Sequence, residues 1–181
     1  MTGRATTVRT ARAEEVEMRE LFLKGMSQLA SPVSVVTTDG PAGRAGVTVS
    51  AVCSVSADPP SLLVCIHHQS PACAAIERNR RFCVNALRDD QAHLSEVFAG
   101  RVEAPGGDKF GCAKWQSTSG GVPVLTDSLV AFECRLSATL LEGTHRIFVA
   151  EVLGVGPTDG RPLVHANRCY AAPAPLAIRV N

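Results

Sequence analysis

The sequence predicts a mainly β fold, a β-barrel with inserted helices and antiparallel strands. Three observations point there. About six or seven short segments are β-branched or alternate apolar with polar residues. Strong turn signals, such as DGPAGR (Asp39–Arg44) and Asp58-Pro59-Pro60, separate them. Helical patterns are few and do not alternate with the strands, which argues against βαβ units.

The elements follow in order. Residues 1–13 (MTGRATTVRTARA) read as a flexible tail, and residues 14–181 as a single domain. Glu14 to Ala30 has helical spacing, with Met18, Leu21, Phe22, Gly25, Met26 and Leu29 near one face, and Ser31-Pro32 ends it. Val33 to Thr38 is a β-branched strand, and Ala45 to Ser56 pairs with it as a hairpin. Ser61 to His67 is apolar throughout, as expected of a strand buried on both faces. Ser70 then caps a helix with Pro71 in its first turn, running from Ala72 to Arg78. Arg81 to Arg88 returns to strand, and Asp89 to Phe98 is helical with acids at its start. Arg101 to Gly121 is rich in glycine and polar residues, with DKFGCAKW as a single turn. Leu129 to Leu141 alternates, Gly143-Thr144 turns the chain, and His145 to Val155 completes a long hairpin. Arg161 to Tyr170 adds a last short strand.

The bulk numbers narrow the function classes. The chain has 181 residues and 45% hydrophobic composition, enough for one real core. Only 4% is aromatic, so Val, Leu and Ala fill that core. A net charge of +1 without a basic cluster argues against nucleic acid. No apolar run reaches membrane-span length, and the N-terminal arginines lack a signal-type apolar stretch. The seven cysteines include no C-x-x-C pair, so they read as buried thiols of a cytoplasmic protein. Gly154-Val155-Gly156-Pro157-Thr158-Asp159-Gly160 misses the dinucleotide fingerprint by one residue, and there is no P-loop or nucleophile elbow. His67 and His68 are strand neighbours expected on opposite faces, so no metal is expected.

Two features carry chemistry. In GVTVSAVCSVSADPP (Gly46–Pro60), alternation puts Thr48, Ser50, Val52 and Ser54 on one face, with Val49, Ala51 and Cys53 on the other. Such a strand suits a flat ligand held by backbone and hydroxyls, and equally a polar outer face. The Ser70-Pro71 helix start suits a phosphate, and equally a plain cap.

The ordered blocks GVTVSAVCSVSADPPSLLVCI, Ser70, RRFCVNAL, DKFGC, PVLTDSLVAFECRL, EGTHRIFVAEV and RPLVHANRCY resemble the short-chain flavin reductase family across roughly residues 16 to 170. These are reductase components of two-component flavin-dependent monooxygenases. The resemblance implies an antiparallel split β-barrel, a homodimer, and NAD(P)H-dependent reduction of free FAD or FMN, with NADH favoured. The reduced flavin would pass to a partner monooxygenase, in natural-product biosynthesis or aromatic hydroxylation. It places the flavin contacts within Arg44–Ser54: Arg44, Gly46, Val47, Thr48, Val49, Ser50, Ala51, Cys53 and Ser54. Cys65, Ile66, His67 and Ser70 fall near the ribityl and phosphate groups, Asn85 follows in the next strand, and Phe110 is expected close to the ring. The family's Gly-Asp-His turn appears as Gly143-Thr144-His145, which makes His145 the nicotinamide-nucleotide contact without the carboxylate. Tyr170 closes the same site, and Val52 stands where an aromatic is common. The resemblance implies no catalytic acid or base, because hydride passes between cofactors and the protein orients them. Alternatives are an electron-transfer protein with tightly bound FMN, or a non-catalytic domain on the same barrel.

Overall fold

The structure, a computed structural model, describes residues 3–157 and 159–176. Helix α1 (Gly3–Ser27) begins inside the segment that reads as a tail. It leads into β1 (Ser31–Pro32), β2 (Ser34–Thr38), β3 (Ala45–Val49), β4 (Val52–Ala57) and β5 (Pro60–His67). Helix α2 (Pro71–Asn79), β6 (Arg81–Ala86) and α3 (Ala92–Phe98) follow, then β7 (Trp115–Ser117) and β8 (Pro123–Leu125). The long hairpin is β9 (Val130–Glu142) with β10 (His145–Pro157), and β11 (Val164–Ala166) and β12 (Cys169–Ala171) end the fold.

Seven strands form one antiparallel sheet in the order β3-β2-β6-β9-β10-β5-β4. Its outermost strands, β3 and β4, are joined in sequence by Ser50 and Ala51 alone. A sheet whose two edges are joined by so short a link must curl to bring them near each other. The Cys65 N–H donates to the Ala51 carbonyl at 3.1 Å, which carries the β4–β5 ladder up to that link. This corrects the single strand expected over Ala45–Ser56. A break at Ser50-Ala51 resets the alternation, so Thr48 and Ser54 belong to different sheet edges.

Inside the curl, Val36, Val64, Ile66, Phe82, Cys134 and Phe148 are buried, with Cys73 and Ile76 of α2 plugging one end. A second cluster on the outer side gathers Val35, Leu87, Leu94, Phe98, Leu125 and Leu163. It lies beneath α3 and the β1-β11-β12 sheet.

Other expectations change with this geometry. β5 alternates instead of being buried on both faces: Leu62, Val64 and Ile66 face the core while Leu63 and Cys65 are half-buried. The glycine-rich stretch contains the small β7-β8 sheet, and the C-terminal strand is a hairpin of two. Beyond Leu136 both faces of β9 are exposed, so its distal half is an arm and not a core strand. α1 leaves Met18, Leu21 and Phe22 exposed at 66%, 56% and 62%, so the described residues leave these apolar side chains open.

Candidate active site

A cleft of about 610 Å³ opens beside β3. Its walls are Arg44 to Val47 at the start of β3, His67 and Gln69 to Ala72 leading into α2, Phe98 and Ala99 at the end of α3, and Gly107 to Phe110. Gly46 sets the spacing. A Cβ there would lie 2.6 Å from Phe98 Cε1, so only glycine lets β3 pass under α3. Phe98, Phe110 and Trp115 pack edge to face with centroids 5.1–5.6 Å apart. The Trp115 indole N–H donates to the Phe110 carbonyl (2.9 Å), and Asp108 accepts from the Phe110 N–H (2.9 Å). These bonds fix the Lys109–Cys112 3₁₀ turn that presents Phe110 to the cleft. The Arg44 guanidinium sits 5.3 Å over the Phe110 ring and pairs with Asp39 at 3.1 Å.

The opposite rim is the N-terminus of α2. Ser70 adopts extended backbone and makes no capping bond with its side chain, unlike the cap expected from sequence. Ser70 and the positive helix end line the cleft together. Lys109, whose ammonium donates to the Phe98 carbonyl at 3.3 Å, adds a cation at the same rim.

A smaller cleft of about 200 Å³ shares Val47 and His67 with the first and runs along Thr48 to Ala51 to Cys65 and His145. Val49 and Ile66 are core residues at its back, 6% and 1% exposed. His145 pairs with His67 across β10 and β5, at the tip formed by Gly143 with φ +53°. The Thr144 hydroxyl meets His145 Nδ1 at 2.9 Å. His67 and His68 stack at 5.2 Å with rings 16° apart, against the expectation of opposite faces, because β5 ends at His67 and a turn carries His68. Among the described residues no His, Cys, Asp and Glu cluster is arranged to hold a metal.

A third cleft of about 150 Å³ reaches Thr48, Ser50, Ser95, Arg101, His165 and Tyr170. Here the polar groups satisfy one another. Thr48 donates to the Ser95 carbonyl (2.7 Å), and the Tyr170 hydroxyl donates to Glu96 (2.5 Å). Ser95 Oγ lies 2.9 Å from that hydroxyl, and Arg101 pairs with Glu96 at 2.8 Å. The Tyr170 bond, with Arg101 behind it, holds the Glu96 carboxyl below its usual range. Burial, and then Glu96, push the Tyr170 phenol up. Tyr170 thus ties β12 to α3, while Thr48 ties β3 to the same helix.

The remaining expected residues divide plainly. Cys53 and Ser54 are exposed on β4 and line none of these clefts. Asn85 is fully buried: its amide donates to the Val35 carbonyl (2.9 Å) and Thr37 (3.1 Å) and accepts from the Leu125 N–H (2.8 Å). It ties β2 and β6 to β8 and has no reach to a ligand. Sequence reasoning missed Gln69, Phe98 and Lys109. Lys109 adjoins Phe110 in DKFGC, so the block itself held the signal. Burial pushes the Cys65 and Cys112 thiols up and raises Cys134 to about 12, which leaves no activated thiolate among them.

Comparison with known proteins agrees with this architecture. The profile of the "Flavin reductase like domain" matches residues 26–174. A relative from Ancylobacter novellus, described as "FMN reductase (NADH) RutF", is 42% identical over 157 residues, covering 86% of each chain. A relative of the same description from Acinetobacter baylyi is 40% identical over 156 residues, 86% of this chain and 82% of its own. Among solved structures, the flavin reductase PheA2 aligns with TM-score 0.78 and 31% identity over 86% of this chain and 98% of its own. The styrene monooxygenase flavin reductase of Pseudomonas putida S12 aligns with TM-score 0.74 and 26% identity over 86% and 99%.

Proposed function

The chain belongs to the flavin reductase-like family, and on that premise we propose that it is an NADH-dependent flavin reductase acting on free FMN or FAD. One observation carries the assignment to residues: the aromatic-walled cleft beside β3 is bounded by an uncapped helix start and adjoins the His145 cleft through His67. A flavin is a flat apolar ring with a polar, phosphate-bearing tail. Phe110 and the β3 backbone suit the ring; Ser70, Lys109 and the α2 N-terminus suit the phosphate. FMN is favoured, since the curated relatives are named for it.

The bound flavin and NADH supply the hydride chemistry. The chain contributes position. Gly46 lets β3 approach, Phe110 and Phe98 exclude water from one side, and His145 orients the nicotinamide nucleotide. Thr144 replaces a carboxylate, so its hydroxyl orients His145 without placing a negative charge beside it. Val52, Cys53 and Ser54, on the far edge, are spectators.

The same reading extends outward. The exposed apolar face of α1, together with Leu140 and Leu141 at 59% and 53% exposure, supports a homodimer that covers them. Names such as styrene monooxygenase flavin reductase support delivery of reduced flavin to a partner monooxygenase. The free cysteines support a reducing cytoplasm, and among the described residues no helix is long and apolar enough to cross a membrane.

The test is steady-state NADH and NADPH oxidation with FMN, FAD and riboflavin supplied separately. Turnover with NADH and FMN is expected. No oxidation with any flavin would favour a non-catalytic domain, and a tightly yellow protein without turnover of added flavin would favour electron transfer. His145→Ala is expected to raise the NADH KM while FMN affinity stays unchanged; unaltered NADH kinetics would remove its role.

A further inference from the structure

We propose that His67 is held as its Nε2–H tautomer and donates a hydrogen bond to an acceptor oxygen of a ligand where the β3 cleft and the His145 cleft meet. The Gln69 backbone N–H donates to His67 Nδ1 at 3.2 Å, and only an unprotonated ring nitrogen accepts such a bond. The proton of the neutral ring is then on Nε2. His68 stacks on one face of the ring at 5.2 Å, and His145 meets it edge-on at 5.3 Å and 78°. The His68 N–H donates to the Thr144 carbonyl at 3.0 Å, which ties this turn to the hairpin tip. The ring is thus braced by its neighbours, while Nε2 makes no hydrogen bond to the described residues.

The position gives the donor its meaning. His67 lines both the 610 Å³ cleft and the 200 Å³ cleft. A fixed N–H at that junction matches a carbonyl or phosphate oxygen, which flavin and dinucleotide both carry. His145 differs: its Nδ1 partner is a hydroxyl, which gives or accepts a proton, so the protein leaves its tautomer open. The inference rests on the flavin reductase reading, and its test separates the two.

Long-range ¹⁵N–¹H NMR of the wild-type protein reads the tautomer directly, with the proton expected on Nε2 of His67. FMN and NAD⁺ are then titrated separately into His67→Gln, His67→Asn and His67→Phe. Glutamine keeps a donor near the Nε2 position, asparagine places its amide near Nδ1, and phenylalanine keeps only the ring. For at least one ligand, His67→Phe and His67→Asn are expected to weaken binding about tenfold while His67→Gln stays within about threefold. The ligand affected identifies the occupant that supplies the oxygen. A proton on Nδ1, or wild-type affinity of His67→Phe for both ligands, overturns the proposal. Absence of wild-type turnover with NADH and FMN removes the functional reading and leaves the tautomer result intact.

Discussion

β3 and β4 are neighbours in sequence and share a composition of small, hydroxyl and β-branched residues, yet they meet opposite fates. β3 is half-buried, with Gly46 under Phe98, Thr48 bonded to α3 and Val49 in the core. β4 is exposed from Cys53 to Ala57. Both are sheet edges, but only β3 is overlaid by a helix and an aromatic turn. The difference teaches that a ligand bed is made by what covers a strand, since the strand's own side chains are alike on both sides of Ser50-Ala51.

Substitutions sharpen that contrast, the largest first. Phe98→Ala removes a fully buried ring from over β3 and is expected to cost about 4 kcal/mol in urea unfolding. Val55→Ala, on the β4 edge at 52% exposure, is expected to stay within about 0.5 kcal/mol. Equal losses at the two edges would erase the distinction. Gly46→Val drives a side chain into Phe98 and is expected to cost about 3 kcal/mol and to weaken FMN binding. Thr48→Val loses the bond to the Ser95 carbonyl and is expected to cost about 1 kcal/mol, with Ser54→Val on β4 close to neutral.

The smallest effect is a pH dependence at the Tyr170 latch. Glu96 has a depressed folded pKa, so its contribution is present above the unfolded carboxylate value of about 4.3 and fades as pH falls through the folded value. Tyr170 has a raised folded pKa, so its contribution is complete below about 10 and fades as pH rises through the folded value. Tyr170→Phe is expected to flatten both limbs of the stability profile. A wild-type profile in that variant would mean the hydroxyl does not hold α3.

Much of the fold was legible because its signals are local. The Ser70-Pro71 helix start and the long hairpin of β9 and β10 stand where turn chemistry and alternation put them. The break at Ser50-Ala51 was not legible, because alternation runs through those residues undisturbed and the curling of the sheet is non-local. Asn85 read as a cofactor contact through the resemblance alone, since its partners, Val35, Thr37 and Leu125, are distant in sequence and are brought to it only by the fold. Hydroxyls were harder still. Thr48 is spent on α3, Ser54 is solvated, and Ser70 is left over for a ligand, although all three look equivalent in sequence.

The central claim is that the flavin occupies the cleft between β3 and α2, and a paired blocking experiment tests it most directly. FMN is titrated by fluorescence quenching into Ser70→Trp, which fills the cleft rim, and into Ser54→Trp, which adds the same bulk on β4. Affinity is expected to fall at least about tenfold, or about 1.4 kcal/mol, in Ser70→Trp and to be unchanged in Ser54→Trp. Unchanged affinity in Ser70→Trp with loss in Ser54→Trp would contradict the account and move the flavin to the other edge of the sheet.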